Sequence, residues 1–172
     1  ALARMSSNED IAAASYQLYV SETLADGTTR WIVGFEPETD FVLSPWIAEG
    51  EGTSLPRGSV LVGSAVADGH AETMSIYGMQ RPIGAHLLAT GSELDSAVFV
   101  PMDTLADIVA DASAAGQDVD ASLDPATDYS AALVRASDSD AIESVTNWIN
   151  LYVRKVSAVR SSEALVDAGA GI

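Results

Sequence analysis

The chain has no cysteine. That excludes disulfide staples, thiolate nucleophiles and thiolate metal sites, and it leaves the compartment open. Basic residues are scarce, with 8 Lys and Arg against 25 Asp and Glu, for a formal net charge of -17. A surface this acidic repels phosphate backbones and anionic headgroups, so neither nucleic acid nor anionic lipid is an expected partner. Long apolar runs are missing too, and no stretch of the sequence is long enough to span a bilayer. The opening "ALARMSSNED" carries no secretory pattern. Taken alone, the chain reads as soluble, as would an ectodomain excised from a membrane protein.

What is present is a globular composition. Hydrophobic residues make up 48% and charged residues 19% of 172 positions, enough for one domain or two small subdomains sharing a core. The first stretch, "SSNEDIAAAS", predicts a short helix from its polar start and alanine run. "YQLYVSETLA" alternates with period two, and "TTRWIVGFEP" returns after the turn "ADGT", which predicts a hairpin. Residues 40–58 are irregular, with Pro45 and Pro56 among glycines.

Short apolar runs at 59–69, 72–90 and 96–102, separated by turn residues, predict an antiparallel β unit, with a short helix ending the first run. Met102, Leu105, Ile108, Val109 and Ala112 share one helical face, with Asp103 placed to cap it. Residues 113–128 are a polar loop. The last third predicts a strand at 129–137 and a helix at 138–153 with the stripe Ile142, Val145, Trp148, Ile149, Tyr152 and Val153, where Asp140 with Glu143 resembles a capping box. A strand at 155–161 and the start of another helix follow. The fold class expected is α+β: a porter-like α/β subdomain built from both chain ends, 1–38 plus 126–172, with a β-rich subdomain containing one helix, 39–125, inserted between them.

No stretch supplies recognisable catalytic chemistry. A catalytic pair or metal site would need convergent carboxylates; His70 sits in a turn with Asp68 and Glu72 close in sequence and His86 mid-strand, and two structural histidines that never meet are the reading. Asp118, Asp120 and Asp124 supply hard oxygen donors, but Leu123 and Tyr129 stand where an EF-hand needs glycine and glutamate, so a solvated acidic loop is the reading. Gly50 and Gly52 match neither phosphate-loop spacing and lie among glutamates. Ser92 has no nucleophile-elbow context. Trp31 and Trp148 read as core residues by their element positions, whereas Trp46, in the proline-flanked "LSPWIAEG", reads as partly exposed.

Several stretches then fall into a familiar order: "IAAASYQLYV", "IVGFEPETDFVLSPWI", "GSVLVGSAVA", "GAHLLATGSELDSAVFVPMDTL" and, more loosely, "AALVRASDSDAIESVTNWI". Together they resemble the extracytoplasmic domain of MacB-type, FtsX-like ABC-transporter permeases. The strongest part is the pairing of "VGFEPETDF" with "TGSELDSAVFVPMDT". The resemblance implies a domain between two transmembrane helices, on the extracytoplasmic face of the cell membrane. Its implied partners are the transmembrane helices of the same permease, a second permease copy and, indirectly, a cytoplasmic ATPase subunit. An extracytoplasmic cargo or protein would complete the set.

It also implies no catalytic residue, cofactor or metal of the domain's own, and a strand before the first helix that this chain does not show, which leaves a sheet edge open. On this reading "TGSELDSAVFVP" is a polar loop feeding a strand, its polar residues serving turn and cap. The expectation is a non-catalytic lever that couples ATP-driven membrane motion to an extracytoplasmic partner, with Phe41, Leu43 and Trp46 as candidate contacts because their loop is apolar without a reason in the pattern. An extracellular hydrolase using the surplus carboxylates and a soluble solute-binding module are the alternatives.

Overall fold

The computed structural model describes residues 5, 7–48, 55–66, 71–120, 122–153 and 158. The described elements are β1 (Ile11–Thr23), β2 (Thr29–Phe35), β3 (Val60–Val62), β4 (Thr73–Ile76), β5 (Met79–His86), β6 (Val98–Pro101), α1 (Met102–Ala114), β7 (Ala131–Ala136) and α2 (Ala141–Tyr152). They make a mixed α/β fold around a seven-stranded sheet of order β4-β5-β3-β6-β2-β1-β7. The chain divides into two compact units, Ser15–Leu133 and Ala1–Ala14 with Val134–Ile172. Strands β1 and β7 each run from one into the other.

In the larger unit, β1 and β2 form the expected antiparallel hairpin, with Thr23 opposite Thr29 and Gln17 opposite Phe35. The middle strands differ from the all-antiparallel reading. β2 pairs with β6 in parallel, and so does β3 with β5, while β3–β6 and β4–β5 are antiparallel. The cause is visible in the residues. "VLV" and "VFV" are apolar and buried at every position, so both strands are covered on both faces, a setting that admits parallel neighbours, and each has one parallel and one antiparallel neighbour.

Alternate side chains serve two separate cores. Ile32, Val60, Val62, Val98 and Val100 join Leu105, Ile108 and Val109 of α1 on one face. Val33, Phe35, Leu61 and Phe99 join Leu43, Leu87 and the flanking Ile47 and Leu55 on the other. Gly34 marks where α1 comes close. A Cβ built there would lie 2.5 Å from Leu105 Cδ2 and 2.8 Å from Met102 Sδ.

The helix caps also differ from the sequence reading. Pro101 is the N-cap residue of α1, and the Asp103 carboxylate instead accepts from the Thr104 N–H at 2.6 Å in the first turn. The apolar face of α1 is buried as the spacing predicts, at Met102, Leu105, Ile108, Val109 and Ala112. No helix follows β3 before residue 67; the chain turns at Ser64 and Ala65. Gly63 has no room for a side chain there, since a Cβ would sit 2.3 Å from the carbonyl oxygen of Leu94 and 2.4 Å from that of Asp95.

A polar clasp joins two hairpins far apart in the strand order. The β4–β5 turn, Tyr77-Gly78, has both φ angles positive, 47° and 80°, the geometry of a tight hairpin turn. The Tyr77 N–H donates to Glu22 Oε1 at 2.6 Å and its hydroxyl to the Ser21 carbonyl at 2.7 Å. Arg30 completes the clasp by donating to Glu22 and to the Ser75 carbonyl. Burial first, then the charges of Glu22 and Asp118, push the Tyr77 phenol up to about 12.

In the smaller unit, the alanine run expected as a helix is strand: β1 begins at Ile11. Backbone pairing overrides the helix preference of alanine, with the Ser137 N–H bonded to the Asp10 carbonyl at 2.8 Å. Asp138, not an Asp140–Glu143 box, caps α2 by accepting from the Ala141 N–H at 2.9 Å. Ala141, Val145 and Ile149 are its buried positions, while Ile142 and Tyr152 of the expected stripe are exposed. The strand read at 155–161 and the final helix lie outside the described residues, Ala158 excepted.

Candidate partner-contact surface

The loop after β2 is built on one carboxylate. Asp40 accepts from the N–H groups of Val42 (3.1 Å), Leu43 (3.0 Å) and Ser44 (2.8 Å), which turns the chain into the 3₁₀ helix Ser44–Trp46. Pro45 suits that first turn, where its missing N–H costs nothing. The loop is then stitched to the end of β5: Ile47 bridges Leu87, the Trp46 carbonyl accepts from Leu88 N–H at 2.7 Å, and the Ala48 N–H donates to the His86 carbonyl at 3.0 Å.

This architecture sorts the three candidate contacts. Leu43 is 0% exposed and belongs to the loop-side core, so it holds the loop down and presents no surface itself. Phe41 is half-buried. Trp46 is 39% exposed, and Leu88, whose N–H it receives, is exposed beside it. The loop is therefore apolar for two reasons: its inner residues complete a core, and its outer tryptophan is left in solvent.

A second apolar surface was not foreseen. Trp31, read as core, is 51% exposed, and its ring meets that of Tyr19 edge-on at 6.4 Å. The Tyr19 hydroxyl is anchored on Gln17 Oε1 at 2.8 Å. The signal was present in β1, where Gln17, Tyr19 and Ser21 share the polar side of the alternation. Trp31 lies on the same side of β2 as Val33, but beyond the reach of the covering core.

Beside the loop's start lies a cleft of about 550 Å³ lined by Glu36, Pro37, Glu38, Leu55, Pro101, Met102 and Asp103. It opens where the parallel strands β2 and β6 end, the position at which open α/β sheets offer crevices. Burial pushes the Glu36 carboxyl above its ordinary value, and the charges of Glu38 and Asp103 add to that. Acids converge here without a basic residue in the lining, which favours a cationic or neutral occupant over an anionic one.

The stretch "TGSELDSAVFVP" is a folded loop closed by Asp95. Its carboxylate accepts from the Thr90 N–H and hydroxyl, both at 2.8 Å, and from the Gly91 N–H at 2.9 Å. Ser92 caps the 3₁₀ helix Glu93–Ser96. Hydrogen bonds from Thr90 first, with Gly91 and Ser64, hold Asp95 below the usual carboxylate range.

The other polar candidates stay apart. Asp120 turns back on the Ser122 N–H and hydroxyl, at 2.9 and 2.6 Å, and Asp124 accepts from Ala126 N–H at 3.0 Å. Among the described residues no group of three or more His, Asp or Glu is placed to hold a metal ion, and no helix is long and apolar enough to cross a membrane. His86 lies at the end of β5; His70 and the Gly50–Gly52 segment lie outside the described residues.

With this geometry in hand, comparison with solved structures gives the class of fold first: it is the fold of an ABC-transporter extracellular domain. The structure in question is the crystal structure of the extracellular domain of the noncanonic ABC-type transporter YknZ from Gram-positive bacteria. The likeness has a TM-score of 0.52 at 13% sequence identity and covers 87% of this chain and 80% of that one. At that identity it is a likeness of fold. No family model matches the chain, and no curated protein sequence matches it.

Proposed function

We propose that this chain is the extracytoplasmic domain of an ABC-transporter permease, of the MacB-type, FtsX-like kind. It carries no chemistry of its own and passes ATP-driven movement of membrane helices to a partner outside the membrane. The observation that carries the reading is the fold shared with a transporter extracellular domain over 87% of the chain, reached independently of the sequence stretches that resemble the same class. On this reading the porter-like part, 1–38 plus 126–172, is continuous with the membrane helices of the permease, and the β-rich part, 39–125, carries the partner contacts. Within it, Phe41 and Trp46 meet the cargo or partner protein, and Leu43 keeps their loop in position.

The test is purification of the native full-length gene product in detergent. A nucleotide-hydrolysing subunit and a second copy of the chain should travel with it. Recovery of a lone polypeptide without ATPase activity contradicts the assignment. A second reading, a solute-binding module, draws on the acid-lined cleft at Glu36 and Asp103. It calls for saturable binding of a small cationic or neutral solute by the isolated chain, lost on Asp103→Asn together with Glu36→Gln.

A further inference from the structure

Charge is the least balanced property of this chain. Were every one of its 8 basic residues paired with an acid, the net charge would still stand at -17. The arginines with identified partners serve as ties between elements. Arg57 grips Asp107 of α1 through Nε at 3.0 Å and Nη2 at 2.9 Å, Arg81 reaches Asp111 one turn further on at 2.6 Å, and Arg30 sits in the hairpin clasp. Asp103, Asp107 and Asp111 follow one another at four-residue intervals on α1, a spacing at which like charges repel.

Most other carboxylates with identified bonds use neutral donors. Asp26, Asp40, Asp95, Asp120 and Asp124 accept from nearby backbone N–H groups and hydroxyls. Such bonds favour the ionised form and cancel none of its charge. The fold therefore gathers its carboxylates into a compact body while leaving their mutual repulsion intact, which opposes the compact state.

We propose that a diffuse atmosphere of monovalent cations is a standing component of this folded state, and that the domain is built for a cation-rich medium. Dissolved salt acts on the molecule in two opposite ways. It weakens exposed ion pairs such as Arg57–Asp107, which contribute little. It also screens the repulsion among all the unmatched acids, which involves the whole surface. The second effect is the larger, so added salt stabilises the fold. A fold held mainly by its ion pairs would show the opposite sign.

The test is thermal unfolding of the 172-residue chain at neutral pH, raising sodium chloride from about 0.02 M to about 0.5 M, a range over which the screening length shortens several-fold. The melting temperature should rise by roughly 5 °C or more. Potassium chloride and choline chloride at equal ionic strength should give the same rise, because screening depends on charge and not on ion identity. The triple variant Glu9→Gln, Glu72→Gln and Asp118→Asn removes three exposed carboxylates. It should melt higher than the parent at the lowest salt and respond less to added salt. A flat or falling melting temperature overturns the proposal. A rise confined to one cation, or an undiminished salt response in the triple variant, overturns it equally, by pointing to a discrete ion site.

Discussion

The two faces of the sheet in the larger unit are covered in different ways. One is covered by α1, whose apolar residues recur at helical spacing and interlock with Ile32, Val60, Val62, Val98 and Val100. The other is covered by a loop, with Leu43, Ile47 and Leu55 lying over Val33, Phe35, Leu61 and Phe99. A helix satisfies its own backbone, so it needs only an apolar stripe. A loop must find partners for each buried N–H and C=O, and here the Asp40 carboxylate and the β5 end supply them. The lesson is that the helix-covered face depends on packing, and the loop-covered face on packing and one polar clamp together.

That difference orders the expected effects. Leu105→Ala, at a fully buried position under α1, should cost about 3–5 kcal/mol in urea unfolding, because a helix anchored along its length cannot collapse into the gap. Leu43→Ala removes a side chain as deeply buried, yet should cost nearer about 2–3 kcal/mol, because a loop can settle into part of the cavity. Equal costs would show that the loop is as stiff as the helix. Asp40→Ala should follow at about 1–2 kcal/mol, as for loss of a helix N-cap. Amide exchange at Val42, Leu43 and Ser44 should rise while α1 stays protected. If exchange under α1 rises as well, the two faces are not independent.

Trp46→Ser should change stability by less than about 0.5 kcal/mol, as for an exposed position. On the proposed function, a photo-crosslinking residue at 46 in the native full-length protein should still capture a partner when the equivalent placement at Asp107, on the exposed side of α1, does not. The smallest effects concern protons. Asp95 titrates below the ordinary carboxylate value, held there by hydrogen bonds. Its stabilising contribution is thus complete above the unfolded value and is lost as pH falls through the folded one. Glu36 is shifted the opposite way by burial, so its ionisation opposes folding as pH rises through the ordinary glutamate range. Carboxyl NMR titration should find the two on opposite sides of their reference values, and coincidence with those references removes the distinction.

Much of the α1 side was legible in the sequence because its information is periodic. Met102 to Ala112 and the alternation of β1 announce themselves. The loop side was legible only as an oddity, an apolar loop without a stated reason, because its order arises from Asp40 reaching forward to residues 42–44 and from pairing with residues 86–88, distant in sequence. The same non-local cause hid the parallel pairing of β2 with β6 and turned the alanine run at residues 12–14 into strand. Trp31 was misplaced because a strand position fixes which way a side chain points and leaves open whether anything lies over it. Leu43 was grouped with Trp46 by proximity in the chain, while the fold turns one inward and the other outward.

The central claim, that this domain faces the outside of a cell membrane as part of a transporter, is open to one direct measurement. An epitope placed in the polar loop near Asp120 of the native full-length protein can be probed with protease added to intact cells or spheroplasts. The account predicts that the protein sediments with membranes and that the epitope is removed from outside while a cytoplasmic marker survives. An epitope protected until the cells are lysed, or a protein recovered wholly in the soluble cytoplasmic fraction, contradicts it.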